Sequence, residues 1–248
     1  MLFEEGHIYH VYNQGNNRQQ IFFERENYLF FLRKMRVYLL PYCNIIAYCL
    51  MPNHFHWLIE VKAVDITHPM TPSHRMSNGA TTLPAATPTH RMTPSHPMSS
   101  KTMSNKMSDG IKSRSLNDSI AIMLRSYTRA INVNQKRTGS LFRTKTKSEC
   151  VSKTEGITPS FYNTQLGTVI NIPNPEFEYP QICFDYIHLN PVKAKLVEKA
   201  EDWEFSSYPD YRGIRNGTLI NRDCGANYGI SFNFLEVNSI DDSKSSDE

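Results

Sequence analysis

The sequence predicts an α+β fold of the ferredoxin-like kind, a split βαβ sheet with helices on one face and further helices after it. Two observations predict this fold. Four short segments with the character of strands and two longer segments that repeat apolar residues at helical spacing follow one another in the order β-α-β-β-α-β. Apolar residues also make up 40% of the 248-residue chain, which is enough for a core of its own.

The six predicted elements of this unit follow one another along the chain. In order, they are a strand at 7–12, a helix at 26–40, strands at 44–50 and 54–61, a helix at 116–134 and a strand at 140–149. Ser115 or Asn117 is the expected N-cap of the second helix, because a short polar side chain there accepts a free backbone N–H. The two middle strands form a hairpin.

Two more helices are predicted after the sheet. The first covers residues 179–189 and is expected to end at Asn190 and Pro191. The second covers 191–200, because a proline at the first helical position after an asparagine cap is a common helix start. The helix that carries Tyr186 is therefore expected to end abruptly.

Two stretches interrupt this pattern. Residues 67–110 are rich in Met, Thr, Pro, Ser and His, and the heptapeptide MTPSHRM of 70–76 returns as MTPSHPM at 92–98. Such a composition predicts a disordered insertion. Prolines and glycines predict a loop insertion at 151–178. The domain prediction is one folded domain from 1–66 and 111–212, followed by a C-terminal extension at 213–248 with an acidic tail.

Composition excludes several classes of protein. The five cysteines never form a C-x-x-C pair, so neither a disulfide framework nor a cysteine zinc site is predicted. The N-terminus does not read as a signal peptide, and the apolar stretch 37–51 is too short and too interrupted to span a bilayer. A cytoplasmic protein that has no membrane partner is expected.

Basic residues concentrate in one part of the chain. Residues 111–148 hold nine Lys or Arg and one acid, Asp118, within a net charge of +3. Spacing places some of these cations on shared faces of a helix or a strand, where they suit a polyanion such as DNA. A solvated face is the alternative. The candidate DNA contacts are Arg18, Arg125, Arg129, Lys136, Arg137, Arg143, Lys145 and Lys147.

The motif HFH carries the first candidate for chemistry. On a strand, His54 and His56 project from one face and Phe55 and Trp57 from the other. The apolar side chains are expected to face the core and the histidines to be presented outward. Two imidazoles at this spacing can share one metal ion, but two ordinary surface histidines remain an alternative.

The segment DYIHLNPV carries the second candidate. Tyr186 and Asn190 lie at i and i+4, so a helix places them on one face. With His54 and His56, the Asn190 amide oxygen could complete a metal site, and Tyr186 could attack a phosphate. Imidazole with hard oxygen ligands favours Mg²⁺ or Mn²⁺ over zinc. The alternatives are a packed tyrosine and an asparagine that only caps a helix.

Four stretches together resemble a known family. They are YHVYNQGNNRQQIFF at 9–23, IIAYCLMPNHFHWLIEV at 45–61, RTGSLFRTKTKS at 137–148 and DYIHLNPVKAKLVEKAEDWEFSSYPDY at 185–211. Their combination and order are similar to the REP-associated tyrosine transposases, which are single-tyrosine HUH transposases of the insertion-sequence-200 type. The matching stretches cover under a third of the chain.

The resemblance implies an HUH nuclease fold, with His54, His56 and Asn190 as metal ligands and Tyr186 as the nucleophile. It also implies cleavage of single-stranded DNA to a 5′-phosphotyrosine and a free 3′-hydroxyl at hairpin-forming repeats, by a monomer or a homodimer. Two rivals stay open. One is a hairpin-DNA-binding protein that has lost catalysis on the same scaffold. The other is a metal hydrolase unrelated to DNA that uses His7 or His10 as a third ligand.

Overall fold

A four-stranded antiparallel sheet with the order β2-β3-β1-β6 forms the centre of the protein in the computed structural model, which describes residues 1–69, 111–153, 162–164, 167–169 and 175–232. Its strands are β1 (Ile8–Gln14), β2 (Cys43–Met51), β3 (His54–Val61) and β6 (Lys147–Cys150). With helices α1 (Arg25–Tyr38) and α2 (Leu116–Asn134), this is the ferredoxin-like order that the sequence predicts. The predicted fold class is confirmed.

Both helices pack on one face of this sheet. Phe55 and Trp57 of β3 are fully buried there, in the same cluster as Phe31 of α1 and Tyr127 of α2. Burial of large apolar side chains supplies the main stabilisation of such a layer. α2 begins with a capping box in which the Ser115 side chain accepts from the backbone N–H of Asp118, so the sequence-based cap is confirmed at Ser115.

The opposite face of the sheet is covered as well. Helix α3 (Pro175–Lys193) packs Phe184 and Ile187 against Leu58 of β3 and Ile8 of β1, all fully buried. The prediction that the histidines of β3 are presented outward is therefore wrong for His56, which is 6% exposed beneath this helix. Side-chain alternation gives the face of a strand but not what covers that face.

The C-terminal helices differ from the prediction. α3 does not stop at Asn190: it runs through Pro191 to Lys193 and ends in a Schellman turn, with the N–H of Leu196 bonded to the Pro191 carbonyl and that of Lys195 to the Val192 carbonyl. The predicted helix at 191–200 is wrong. After this turn come a 3₁₀ turn and two short helices, at Ala200–Asp202, Tyr208–Tyr211 (α4) and Arg222–Ala226 (α5).

The last strand of the sheet is shorter than predicted. β6 begins at Lys147, and upstream of it only Phe142 bridges to Gly15. The prediction that Arg143 and Lys145 alternate along a strand is wrong, although both side chains are exposed. This strand lies at the sheet edge, where only β1 pairs with it.

The remaining strands are two small pairs. β4 (Asp65–Pro69) pairs with β5 (Ile111–Ser115), and β7 (Tyr162–Thr164) pairs with β8 (Gly167–Val169) inside the region predicted as a loop. Most of the predicted insertion at 67–110 and of the acidic tail lies outside the described residues. Contacts divide the chain into one unit of Met1–Ile66 with Arg114–Glu248 and a second of Thr67–Ser113. The domain assignment stays a prediction.

No helix in the described part of the chain combines the length and apolar character needed to cross a membrane.

Candidate active site

The candidate site lies on the face of the sheet that α3 covers. Adjacent strands β1 and β3 place Tyr12 opposite His56 and Gln14 opposite His54. Helix α3 brings Tyr186 to the same place, where a cavity of about 240 Å³ opens. Its described lining consists of Tyr12, Asn13, Gln14, His54, His56, Arg143, Lys145, Lys147 and Tyr186.

The two histidines of the HFH motif are held by different partners. The Nδ1 atom of His54 lies 2.6 Å from the Oδ1 atom of Asn53, and the Nδ1 atom of His56 lies 2.9 Å from the Nε2 atom of His10. The ring centres of His54 and His56 are 5.0 Å apart, with an angle of 86° between the ring planes. Each ring therefore has its Nδ1 atom engaged within the protein, which leaves Nε2 for an external ligand.

Burial sets the charge of these histidines. It lowers the pKa of His54, and it lowers that of His56 well below the ordinary value, with help from neighbouring His10 and His54. The pKa of His10 falls to about 4, mainly through burial, against a smaller opposing effect of Glu149. The three imidazoles are neutral near pH 7, which is the form in which histidine binds a metal.

The histidine pair fits a shared divalent ion. With metal–nitrogen distances of about 2.1 Å, two imidazoles on one ion have ring centres roughly 4.5–5.5 Å apart, a range that includes the 5.0 Å between His54 and His56. Across the described residues, no three His, Cys, Asp or Glu side chains are grouped so as to hold a metal. A further ligand would have to be an amide, water or phosphate oxygen.

Asn190 lies one turn beyond Tyr186 on α3, as its spacing predicts. Its Nδ2 atom donates to the Tyr186 backbone carbonyl at 3.1 Å. It is not among the described residues that line the cavity. Its role as a metal ligand stays a prediction.

Tyr186 is the exposed aromatic side chain of this site. It is 39% exposed, its ring centre lies 5.4 Å from that of His56 and 6.1 Å from that of His10, and the Lys193 Nζ atom lies 5.5 Å from its centre. The structure thus brings together Tyr186 and the histidine pair, which are about 130 residues apart in the sequence. Its role as nucleophile stays a prediction.

The structure adds site residues that the sequence patterns did not identify. Tyr12 donates a 2.7 Å hydrogen bond to the Oε1 atom of Glu149, and burial together with this carboxylate raises its pKa. His10 was considered only as a third ligand for a hydrolase, and its Nε2 atom instead faces the Nδ1 atom of His56. His7 bonds to Ser152 and does not line the cavity among the described residues. Within the described residues, neither His7 nor His10 thus forms the three-histidine metal site that the hydrolase alternative requires.

A second, larger cavity adjoins the first. It measures about 750 Å³ and lies between the C-terminal half of α2 and residues 136–146. Five cations line it: Arg125, Arg129, Lys136, Arg137 and Arg143. Asn13 and Arg143 line both cavities, so the two are neighbours. None of the five forms an ion pair within the described part of the chain.

All predicted DNA contacts except Arg18 therefore line one of the two cavities. Arg18 belongs to the turn after β1 and has a left-handed φ of 59°. Its backbone carbonyl accepts from Asn53 at 3.4 Å, while its side chain is exposed and outside both described linings. Arg18 therefore lies in a loop that contacts the turn between β2 and β3 through Asn53.

Fold and site together define a ferredoxin-like protein whose sheet carries a histidine pair facing a tyrosine. No family model and no curated protein matches the chain. Among solved structures the chain is similar to a REP-associated tyrosine transposase bound to a REP hairpin. That similarity has 13% sequence identity and a TM-score of 0.44, and covers 90% of this chain and 87% of that chain. This is the family that the four sequence stretches resemble.

Proposed function

We propose that the protein is a metal-dependent endonuclease and strand transferase of single-stranded DNA, with Tyr186 as its nucleophile. One observation carries the proposal: an exposed tyrosine packs against neutral His56 and shares with His54 a cavity edged by Arg143, Lys145 and Lys147. A hydroxyl, a set of possible metal ligands and phosphate-binding cations are the parts that phosphodiester cleavage by a tyrosine requires.

The cations bind and orient the substrate. Arg143, Lys145 and Lys147 are exposed and can contact successive phosphates of one strand, which supplies affinity without sequence preference. The groove along α2 extends this surface, since Arg143 belongs to both cavities. The proposed substrate is single-stranded DNA, because one of its phosphates must enter the smaller cavity and come within reach of Tyr186 on α3.

Cleavage is an in-line displacement at phosphorus. The Tyr186 oxygen forms a bond to phosphorus as the bond to the 3′ oxygen breaks. The phenol loses one proton and the departing 3′ oxygen gains one, so no proton is consumed. Mg²⁺ or Mn²⁺, held by His54 and His56 with Asn190 as the proposed third ligand, would stabilise the negative charge that develops on the phosphate.

Rejoining is the reverse reaction. The 5′-phosphotyrosine ester keeps the energy of the broken bond, so a 3′-hydroxyl can attack it without ATP and release the tyrosine. The same site can therefore join the strand to a new end. Hairpin-forming repeats are the proposed substrates, because the four sequence stretches resemble the REP-associated tyrosine transposases.

A second candidate is a catalytically silent hairpin-DNA-binding protein. It is favoured by the position of Asn190, whose amide bonds to its own helix and does not line the cavity among the described residues. In that case the cationic surface would act alone. The two candidates differ in one product, the covalent link between protein and DNA.

The test is the trapping of that product. The protein is incubated with Mn²⁺ and 5′- and 3′-labelled hairpin oligonucleotides that carry randomised single-stranded flanks, and adducts are resolved on a denaturing gel. We expect an adduct with the wild type and none with Tyr186→Phe, at equal DNA affinity, because only one hydroxyl is lost. Tyr38→Phe, a half-buried tyrosine at the end of α1 that lines neither cavity among the described residues, is the matched control and should form adduct normally.

The outcomes separate the candidates. Hairpin binding without any adduct from the wild type would support the silent DNA-binding protein. Adduct formation by Tyr186→Phe would show that another residue is the nucleophile, and peptide mapping of the linked residue would identify it. Adduct formation that survives EDTA would remove the metal from the proposal.

A further inference from the structure

We infer that His10 and Asn53 are positioning residues that hold His56 and His54 in the tautomer whose proton is on Nδ1. The inference rests on the proposed function, because it concerns the two proposed metal ligands. Asn53 would act through its Oδ1 atom on His54, and His10 through its Nε2 atom on His56.

The Asn53–His54 contact determines one tautomer directly. The Asn53 Oδ1 atom lies 2.6 Å from the Nδ1 atom of His54, while its Nδ2 atom donates to the Arg18 carbonyl at 3.4 Å. The second bond fixes which way the amide points. A carbonyl oxygen can only accept, so the Nδ1 atom of His54 must carry the proton. The Nε2 atom of His54 is then left with a free lone pair.

The His10–His56 contact involves two nitrogens that can each donate or accept. They are 2.9 Å apart, so one proton lies between them. If His56 donates, its Nε2 atom keeps a lone pair for a cation. If His10 donates, the proton of His56 must be on Nε2, and His56 cannot bind a metal there.

The strand order favours donation by His56. Strands β3 and β6 flank β1 on opposite sides, with His56 on β3 and Glu149 directly opposite His10 on β6. The Oε1 atom of Glu149 accepts from Tyr12, and the negative charge of this carboxylate on the β6 side favours a proton on the His10 nitrogen that faces away from His56. The Nε2 atom of His10 is then left to accept.

Both ligands are therefore prepared before an ion arrives. The two rings lie 5.0 Å apart and present Nε2 atoms with free lone pairs, so metal binding needs no change of tautomer. Outer partners of this kind set ring orientation and ligand basicity, and their loss weakens metal affinity by about 10–100-fold.

The first measurement reads the tautomers themselves. Two-bond ¹H–¹⁵N correlation spectra of the metal-free full-length protein, labelled at histidine, distinguish a protonated from an unprotonated ring nitrogen. Spectra of single histidine variants assign the signals. We expect protonated Nδ1 and unprotonated Nε2 in both His54 and His56. A protonated Nε2 atom in His56 would overturn the inference.

The second measurement compares paired variants. His10→Gln keeps an acceptor near the position of Nε2, whereas His10→Leu removes it. Titration calorimetry with Mn²⁺ should show binding within a few-fold of wild type for the Gln variant and about 10–100-fold weaker for the Leu variant. Equal weakening in both, or none in the Leu variant, would contradict a positioning role. Thermal unfolding of each variant checks that the fold is kept.

These results are distinguishable from failure of the proposed function. Wild-type protein that binds no Mn²⁺ would remove the metal site, while the spectra would still report whether the tautomers are as inferred. Adduct formation by Tyr186→Phe would show that Tyr186 is not the nucleophile, and it would leave the tautomer spectra and the Mn²⁺ titrations unaffected.

Discussion

Burial and hydrogen bonding separate Tyr186 from Tyr12, Tyr127 and Tyr211. Tyr127 is fully buried and donates to the Ile21 carbonyl, and Tyr211 donates to the Ile46 carbonyl. Burial raises the pKa of both phenols. Tyr12 shares the cavity with Tyr186, but its hydroxyl donates to Glu149, which holds the proton in place. Among the cavity residues, Tyr186 thus has the hydroxyl best suited to attack a phosphate.

A second interaction at the residue scale secures the helix that carries Tyr186. Ser207 accepts from the backbone N–H of Tyr48 at 2.9 Å, and its Oγ atom lies 2.7 Å from the Nε2 atom of His188 on α3. The segment of Ser207 is in turn held by Arg215, which donates to both carboxylate oxygens of Asp210 at 2.8 and 2.7 Å. The Asp210 side chain is only 2% exposed.

We predict that Arg215→Ala destabilises the protein by about 3 kcal/mol, because it leaves the buried Asp210 carboxylate without its cation. This figure is at the low end for a buried pair, since the Arg215 side chain is 33% exposed. Urea unfolding at pH 7.5 measures it. Arg212→Ala is the matched control: Arg212 lies 3.9 Å from Glu201 in a more exposed ion pair, and its loss should cost less than about 1 kcal/mol. Equal effects of the two substitutions would show that Asp210 does not depend on Arg215.

At the scale of elements, the sequence predicted the sheet better than the helix that carries the nucleophile. Alternation in HFHWLIEV reproduces β3 because successive side chains of a strand point to opposite faces, although in this strand both faces are mostly buried. Pro191 was interpreted as a helix start, but α3 continues through it. A proline in the last turn removes only one backbone donor, and the Schellman turn that follows satisfies the terminal carbonyls.

The site was predictable only in part, for a reason of geometry. His54, His56 and Tyr186 could be selected from spacing within single elements. His10 and Glu149 could not, because their place depends on which residues of β1, β3 and β6 stand opposite one another. Register is set by pairing across the sheet, and one strand's sequence does not contain it.

The cations that line the two cavities can be tested one at a time, at the scale of an element. Arg143→Ala, Lys145→Ala and Arg129→Ala should each weaken binding of single-stranded DNA for all sequences tested. Each should also lower the slope of log affinity against log salt by roughly 0.7, because one phosphate contact is lost. Fluorescence anisotropy at several salt concentrations measures both quantities.

The matched control for the groove is Arg33→Ala. Arg33 is exposed on α1 and lines neither cavity among the described residues, yet its substitution removes the same charge. A slope unchanged by Arg143→Ala, or changed equally by Arg33→Ala, would show that binding follows net charge and not this surface.

At the scale of the whole molecule, the two faces of the sheet differ in chemistry. The face under α1 and α2 is an apolar layer of aromatic and aliphatic side chains. On the other face, histidines of the sheet and of α3 are buried: His10, His56 and His188 are 7%, 6% and 0% exposed. Burial lowers the pKa of all three, to about 4 for His10 and to about 3 for His188. The fold therefore holds neutral imidazoles that the unfolded chain would protonate in mild acid.

This arrangement predicts that metal-free protein loses stability as the pH falls below about 6.5, the ordinary pKa of histidine. Between that pH and the lowered folded-state pKa values, the unfolded chain binds more protons than the folded chain, so the free energy of unfolding rises with pH. At pH 5, His10 and His188 should each lower the free energy of unfolding by roughly 2 kcal/mol relative to pH 7.5. Urea unfolding in EDTA at these two pH values measures the difference.

His188→Gln tests the origin of that pH dependence. Glutamine can still bond to Ser207 in place of the Nε2 atom of His188 but does not titrate, so the variant should keep most of its stability at pH 7.5. Its loss of stability between pH 7.5 and pH 5 should be smaller than that of the wild type by roughly 2 kcal/mol, the share of one fully buried histidine. A pH dependence that is unchanged in this variant would mean that His188 accepts a proton as readily in the folded protein as in the unfolded chain. In that case the packing of α3 against the sheet would have to be looser than the structure shows.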